Sequence, residues 1–288
     1  WSQLGNGNRG NGVIVGIIDS GIDYRQGDFR TSDDRSRVLA IWDQLDESGR
    51  PPSGYSYGTD WDKNSLDQKT CTHIPRRFHG THVAGIAAGD GSETGNGQPA
   101  FQYVGVAPEA DILVVNHEDD VRDTQIVDAV NWIFQMAGSK PVSINMSFGA
   151  QYGLHDGSYT LDQALNLLVG PGKPGRVICA AVGNEGDSPL HAKTTLKSPV
   201  NKFYPYLRLS SNEDFDSAIV QVFYPAASSV QARMWIPKNE NVTQYITTDW
   251  VSKNGRHVLQ IESGIFQGII VTVDAREAPY ASNPNFNL

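Results

Sequence analysis

Val13-Ile14-Val15-Gly16-Ile17-Ile18-Asp19-Ser20-Gly21 is an apolar run that ends in a carboxylate and a turn. An apolar stretch this short, closed by Ser and Gly, reads as a strand buried on both faces, and such strands belong to parallel sheets covered by helices. Asp19 then sits where open α/β sheets build their sites, just outside the carboxyl end of a strand. Ile112 to Val115, Val142 to Met146 and Val177 to Val182 repeat the pattern, with helical periodicity between them. Ile126, Val130, Ile133, Phe134 and Ala137 recur at helical spacing and draw one apolar stripe. Leu161, Ala164, Leu165 and Leu168 predict a second helix, with Thr160 and Gln163 spaced as a capping box and Gly170-Pro171-Gly172 as its stop. Alternation of this kind predicts an α/β fold, a doubly wound parallel sheet.

Near Lys197 the helical stripes stop. Ala218 to Tyr224, Val230 to Ile236, His257 to Glu262 and Gly268 to Asp274 alternate in the strand manner between polar turns, which predicts an antiparallel β-sandwich or jelly roll. The chain thus divides into an α/β domain over residues 1–196 and a β-rich segment over 197–288. A sheet that stops at Leu288 leaves an unpaired edge, so the expectation is that this segment is incomplete and that more strands follow it.

Composition narrows the function. The 288 residues are 39% hydrophobic, enough for a core, and 23 Lys and Arg stand against 32 Asp and Glu for a formal charge of −9. Arg76-Arg77 is the longest basic run, which argues against a nucleic-acid partner. No apolar run approaches the roughly 18 residues of a membrane span, and no signal-peptide pattern opens the chain. Two cysteines, Cys71 and Cys179, make no disulfide framework; both read as small buried hydrophobes, Cys179 inside a strand. Neither has a second Cys or His at ligand spacing, and Asp90 to Asn96 match no calcium loop, so no metal and no cofactor is expected.

The chemistry lies in three places. Phe78-His79-Gly80-Thr81-His82-Val83-Ala84-Gly85 puts an imidazole at a glycine-flanked helix start, and Ala180-Ala181-Val182-Gly183-Asn184-Glu185-Gly186 ends a strand in a side-chain amide. Asp19, His79 and Asn184 could therefore serve as orienting acid, general base and oxyanion donor for acyl transfer. Singly they have plainer explanations: a strand-end Asp ahead of Ser-Gly is often a turn residue, and an Asn in a glycine-flanked turn is often one too. His82 lies one helical turn beyond His79, but a zinc helix would need His-Glu-x-x-His.

Together these segments resemble the subtilisin-like serine proteases, the subtilases, in motif and in the order Asp, His, Asn. The resemblance covers Gly12 to about Gly186 and includes Gly105-Val106-Ala107-Pro108-Glu109-Ala110. It implies that Asp19, His79 and Asn184 are catalytic, with His82 structural. It also implies that Ile144 to Gly149 carry the strand that pairs with an extended polypeptide substrate, contacted by Ser147, Phe148 and Gly149, with the opposite edge at Glu118 to Arg122. Asp28-Phe29-Arg30, Arg37-Val38-Leu39, Ile41-Trp42-Asp43-Gln44, a long Tyr- and Gly-rich loop before His79 and a β-insert after Asn184 further resemble the Csp-type germination proteases of spore formers. A secreted, cell-envelope or spore-associated location would accompany that likeness. One departure matters. The family's nucleophile motif, Gly-Thr-Ser, occurs nowhere in these residues. The expectation is a serine endopeptidase whose serine lies beyond Leu288 or on another chain, making a C-terminal remainder its partner; the alternative is a silent relative that binds polypeptide or a regulator.

Overall fold

The computed structural model describes residues 8–117, 121–151, 155–187, 192–193, 195, 220, 222, 230–238, 243–252, 256–262 and 270–274. The chain forms two compact units, Trp1–Tyr152 with Thr160–Leu209, and Gly153–Tyr159 with Ser210–Leu288. The expected boundary at 196/197 and most of the run Ala218 to Tyr224 lie outside the described residues.

In the first unit the elements follow as β1 (Ile14–Asp19), β2 (Val38–Asp43), β3 (Thr59–Trp61), α1 (Lys63–Asp67), α2 (Phe78–Ala88), β4 (Asp111–Asn116), α3 (Asp123–Ala137), β5 (Val142–Met146), α4 (Thr160–Asn166) and β6 (Arg176–Ala180). They build a six-stranded sheet in the order β3-β2-β4-β1-β5-β6. Five strands run parallel, and β3 is an antiparallel edge on β2. The doubly wound parallel sheet expected from the sequence is present, with one antiparallel strand added at its edge, and β2 and β3 join the four strands read from it.

The pleat decides which helix each residue meets. Ile14 and Ile18 of β1 pack into one core with Ile126, Val130, Ile133 and Ala137 of α3, while Val15 and Ile17 pack into a second with Ala84 and Ala88 of α2. Helices therefore cover both faces, as a doubly wound sheet requires. The predicted stripe of α3 is buried in full, at about 1.5–3 kcal/mol for each large side chain removed from water. Asp19 shares the pleat phase of Val15 and Ile17, so its carboxylate points to the α2 side.

Two expectations change at the other edge. Cys179 is exposed, not buried, because β6 pairs only with β5 among the described residues and has no fully buried residue. Thr160 is the first residue of α4 instead of its cap. Cys71 is buried as expected, and burial pushes its thiol up to about 11. In the second unit the described strands form antiparallel pairs: β7 (Gln231–Ala232) with β10 (Val251–Ser252), β8 (Trp235–Pro237) with β9 (Tyr245–Thr247), and β11 (Arg256–Gln260) with β12 (Ile270–Asp274).

Candidate active site

Asp19 ends the central strand β1, from which the chain adds neighbours first on one side and later on the other, the switch point where α/β sheets open a crevice. The residue is 3% exposed. Its Oδ1 accepts hydrogen bonds from the Ser20 N–H at 2.7 Å and the Ser20 hydroxyl at 3.1 Å. His79 is the second residue of α2, and its Nδ1 lies 2.8 Å from Asp19 Oδ1 and 3.0 Å from Oδ2. A nitrogen facing a carboxylate carries the proton, so Nδ1 donates and Nε2 keeps its lone pair. The imidazole is 54% exposed.

Local structure makes this approach possible. Helix α2 has no side-chain cap of its own, and its orphan Gly80 N–H donates instead to the Ser20 hydroxyl at 3.1 Å. One hydroxyl thereby ties the carboxylate turn to the start of the histidine helix. Gly80 must lack a side chain: a Cβ there would run into the Gly21 carbonyl and stand 3.1 Å from Asp19 Oδ1. The Asp23 N–H adds a tie to Thr81 Oγ1 at 2.9 Å. His82, one turn along, is exposed and makes no side-chain hydrogen bond among the described residues, so no structural bond accounts for it.

Asn184 follows β6 at the same carboxyl-end edge of the sheet and is exposed. Its N–H donates to Glu185 Oε2 at 2.9 Å, and Gln151 Nε2 donates to Glu185 Oε2 at 3.1 Å and to the Val182 carbonyl at 3.5 Å. Ser147, Phe148 and Gly149 follow β5 directly, outside any regular element. Ser147 Oγ accepts from Asn145 Nδ2 at 2.9 Å, and Phe148 stands edge-on to His117 with ring centroids 4.4 Å apart. The structure brings Asp19 and His79 into contact; Asn184 and the Ser147–Gly149 segment share their edge of the sheet. Of the opposite wall, residues 118–120 lie outside the described residues, and Arg122 precedes α3.

A second buried pair escaped the sequence reading. His73 Nδ1 lies 2.5 Å from Asp43 Oδ2, and Asn116 Nδ2 donates to Asp43 Oδ1 at 2.7 Å. Asp43 was legible only as part of Ile-Trp-Asp-Gln, and nothing near His73 in sequence points to it; the contact spans 30 residues. Among the described residues no group of three or more His, Cys, Asp or Glu could hold a metal ion. No described helix is long and apolar enough to cross a membrane.

Residues 10–215 match the model of the subtilase family. Over 273 residues the chain is 31% identical to the PII-type proteinase of Lactococcus lactis subsp. cremoris, covering 90% of this chain and 13% of that protein. Over 179 residues it is 31% identical to the thermophilic serine proteinase of Bacillus sp. (strain AK1), covering 62% of this chain and 34% of the relative. The chain therefore spans 13% of the first of these curated relatives and 34% of the second. Among solved structures, the CspB protease of Clostridium perfringens superposes with a TM-score of 0.52 at 30% identity, over 65% of this chain and 39% of that one.

Proposed function

We propose, from the premise that this chain belongs to the subtilase family, that Asp19 and His79 are the acid and base of a serine endopeptidase. The observation that carries this is the 2.8 Å and 3.0 Å contact of His79 Nδ1 with both oxygens of a buried carboxylate. Asp19 holds the imidazole in the tautomer that leaves Nε2 basic and stabilises the cation formed when Nε2 takes a proton. His79 draws that proton from a serine hydroxyl as the hydroxyl attacks a peptide carbonyl, then returns it to the leaving amine. Asn184 donates its side-chain amide to the tetrahedral oxyanion. Ser147, Phe148 and Gly149 offer backbone to an extended polypeptide laid alongside β5.

The serine comes from polypeptide outside these 288 residues, since none of them stands in a Gly-Thr-Ser motif. The antiparallel ladders after residue 197 then form an insert between the oxyanion donor and the nucleophile. The same missing motif favours a second reading, a silent subtilase that holds a polypeptide or a regulator in this cleft. A fluorophosphonate probe separates them. The 288-residue chain should stay unlabelled, and the product of the complete gene should be labelled on one serine, with labelling lost on His79→Ala. A complete gene product that is folded, unlabelled and inert towards peptides leaves only the binding reading.

A further inference from the structure

The buried Asp43–His73 pair sits behind the candidate site and has no part in the chemistry above. Asp19 on β1 pairs in register with Asn116 on β4, and Asn116 with Asp43 on β2, so three polar side chains line the carboxyl end of the α2 face. A carboxylate withdrawn from water costs several kcal/mol unless its oxygens are satisfied. Asp43 is satisfied by Asn116 at 2.7 Å, by the Leu45 N–H at 3.1 Å and by His73 at 2.5 Å. The His73 side chain is fully buried, and its second ring nitrogen accepts the Ile22 N–H at 3.3 Å. That bond requires the Nδ1–H tautomer, which Asp43 enforces.

What His73 grips is the turn that shapes Asp19. Ser20 supplies two of the donors to Asp19 Oδ1, beside His79, and the acceptor for Gly80 N–H. The Ser20 carbonyl accepts the Arg76 N–H at 3.1 Å, three residues beyond His73. Gly21, at φ +90°, lies close to the imidazole: a Cβ there would stand 2.7 Å from ring atoms Cε1 and Nε2. Hydrogen bonds and contact thus converge on residues 20–22 from the 73–76 segment. We propose that His73, its tautomer set by Asp43, is a positioning residue for the Asp19–His79 pair: it fixes the Ser20-Gly21-Ile22 turn, and through Ser20 both the carboxylate and the helix start that carries the base. The importance of the pair rests on the protease reading, whereas its geometry does not.

Two substitutions separate positioning from packing. His73→Asn keeps a donor for Asp43 and drops the acceptor for Ile22; His73→Gln keeps an acceptor near the Nε2 position and drops the donor. In the 288-residue chain labelled with ¹⁵N-histidine, His73 should show protonated Nδ1 and bare Nε2, with a scalar coupling from the Ile22 N–H to Nε2. His79 should show the Nδ1–H tautomer in the wild type and in His73→Gln, and a tautomer mixture in His73→Asn. In the complete gene product, His73→Asn should lower kcat by about 10- to 10²-fold at unchanged KM, the scale of a small misplacement of reacting groups. A folded His73→Asn chain with the wild-type His79 tautomer overturns the proposal, as do equal shifts in both variants. If neither variant folds, a wild-type His73 protonated on Nε2, or lacking the Ile22 coupling, overturns it. The tautomer readings need no nucleophile, so loss of the protease reading leaves them decisive.

Discussion

In β1 all six residues are buried, whereas in β6, one strand beyond β5, none is. The difference extends to the groups each strand delivers. Asp19 is held by the two Ser20 donors and by His79, and the Ser20 hydroxyl also binds Gly80 of α2. Asn184 leaves its strand among exposed residues, with its backbone tied to a neighbouring Glu185 carboxylate. Helix α3 buries seven residues under the sheet, and α4 buries none. A site that must hold charge needs its dipoles fixed before the substrate arrives. On the β2-β4-β1 side these residues supply that rigidity themselves; around β6 they supply little of it.

The widest test of that contrast is kinetic. In the complete gene product, His79→Ala should lower kcat on the order of 10⁶-fold and Asp19→Ala about 10⁴-fold, the sizes such losses have in a subtilisin. Asn184→Ala should cost about 10²- to 10³-fold in kcat with little change in KM, again the size of an oxyanion donor in a subtilisin. Steady-state rates on a peptide substrate check all three. An Asn184 effect confined to KM would make that residue a substrate clamp and erase its place in the site.

Stability should divide along the same line. Ile17→Ala removes a fully buried side chain of β1 and should cost about 2–5 kcal/mol in urea unfolding of the 288-residue chain. Val177→Ala on β6, where the side chain is 51% exposed, should stay within about 0.5 kcal/mol. Comparable losses at both positions would mean that β6 is covered in solution.

The thiols offer a smaller measure. Cys179 should react with a maleimide as fast as a thiol in the unfolded chain, and Cys71 only on opening. Burial raises Cys71 from the ordinary 9.0 to about 11. Below about pH 9 both folded and unfolded chains hold the proton, and the contribution to stability is fully present. Between about 9 and 11 the unfolded thiol ionises first, so stability should fall, by of order 2 kcal/mol across the window. Cys71→Ser should flatten that part of the pH profile; an unchanged slope assigns it to other groups.

How far the sequence could be read follows the same division. Strands β1, β4 and β5 and the α3 stripe were legible because burial on both faces leaves apolar runs and helical spacing. So was the Asp19–His79 contact, through motifs whose glycines the geometry explains: Gly80 has no room for a Cβ beside Asp19. Strand β2 was missed because its apolar residues adjoin the charged Arg35 and Arg37 and end in a buried carboxylate, which a hydropathy pattern reads as surface. Cys179 was misread because an apolar run fixes the strand but not its place in the sheet, and β6 is an edge among the described residues. His73 left no trace, since its role depends on Ile22, a contact across 51 residues.

The least expected effect belongs to His82, and it sharpens the contrast within one helix. His79 and His82 share α2 and lie a turn apart, so the family resemblance sets a catalytic residue beside a structural one. The structure gives the second no supporting bond: His82 is exposed and unbonded among the described residues, while the interior of α2 is carried by Gly80, Ala84 and Ala88. Removing an exposed imidazole exposes no apolar surface and orphans no buried donor, so neither of the usual sources of a large loss is present. His82→Ala in the 288-residue chain should therefore change the free energy of urea unfolding by less than about 0.5 kcal/mol and leave the ¹⁵N tautomer signature of His79 as it was. A loss of 2 kcal/mol or more would mean that His82 is packed by polypeptide outside the described residues. The contrast would then lie between an exposed His79 and a covered His82 with different tasks.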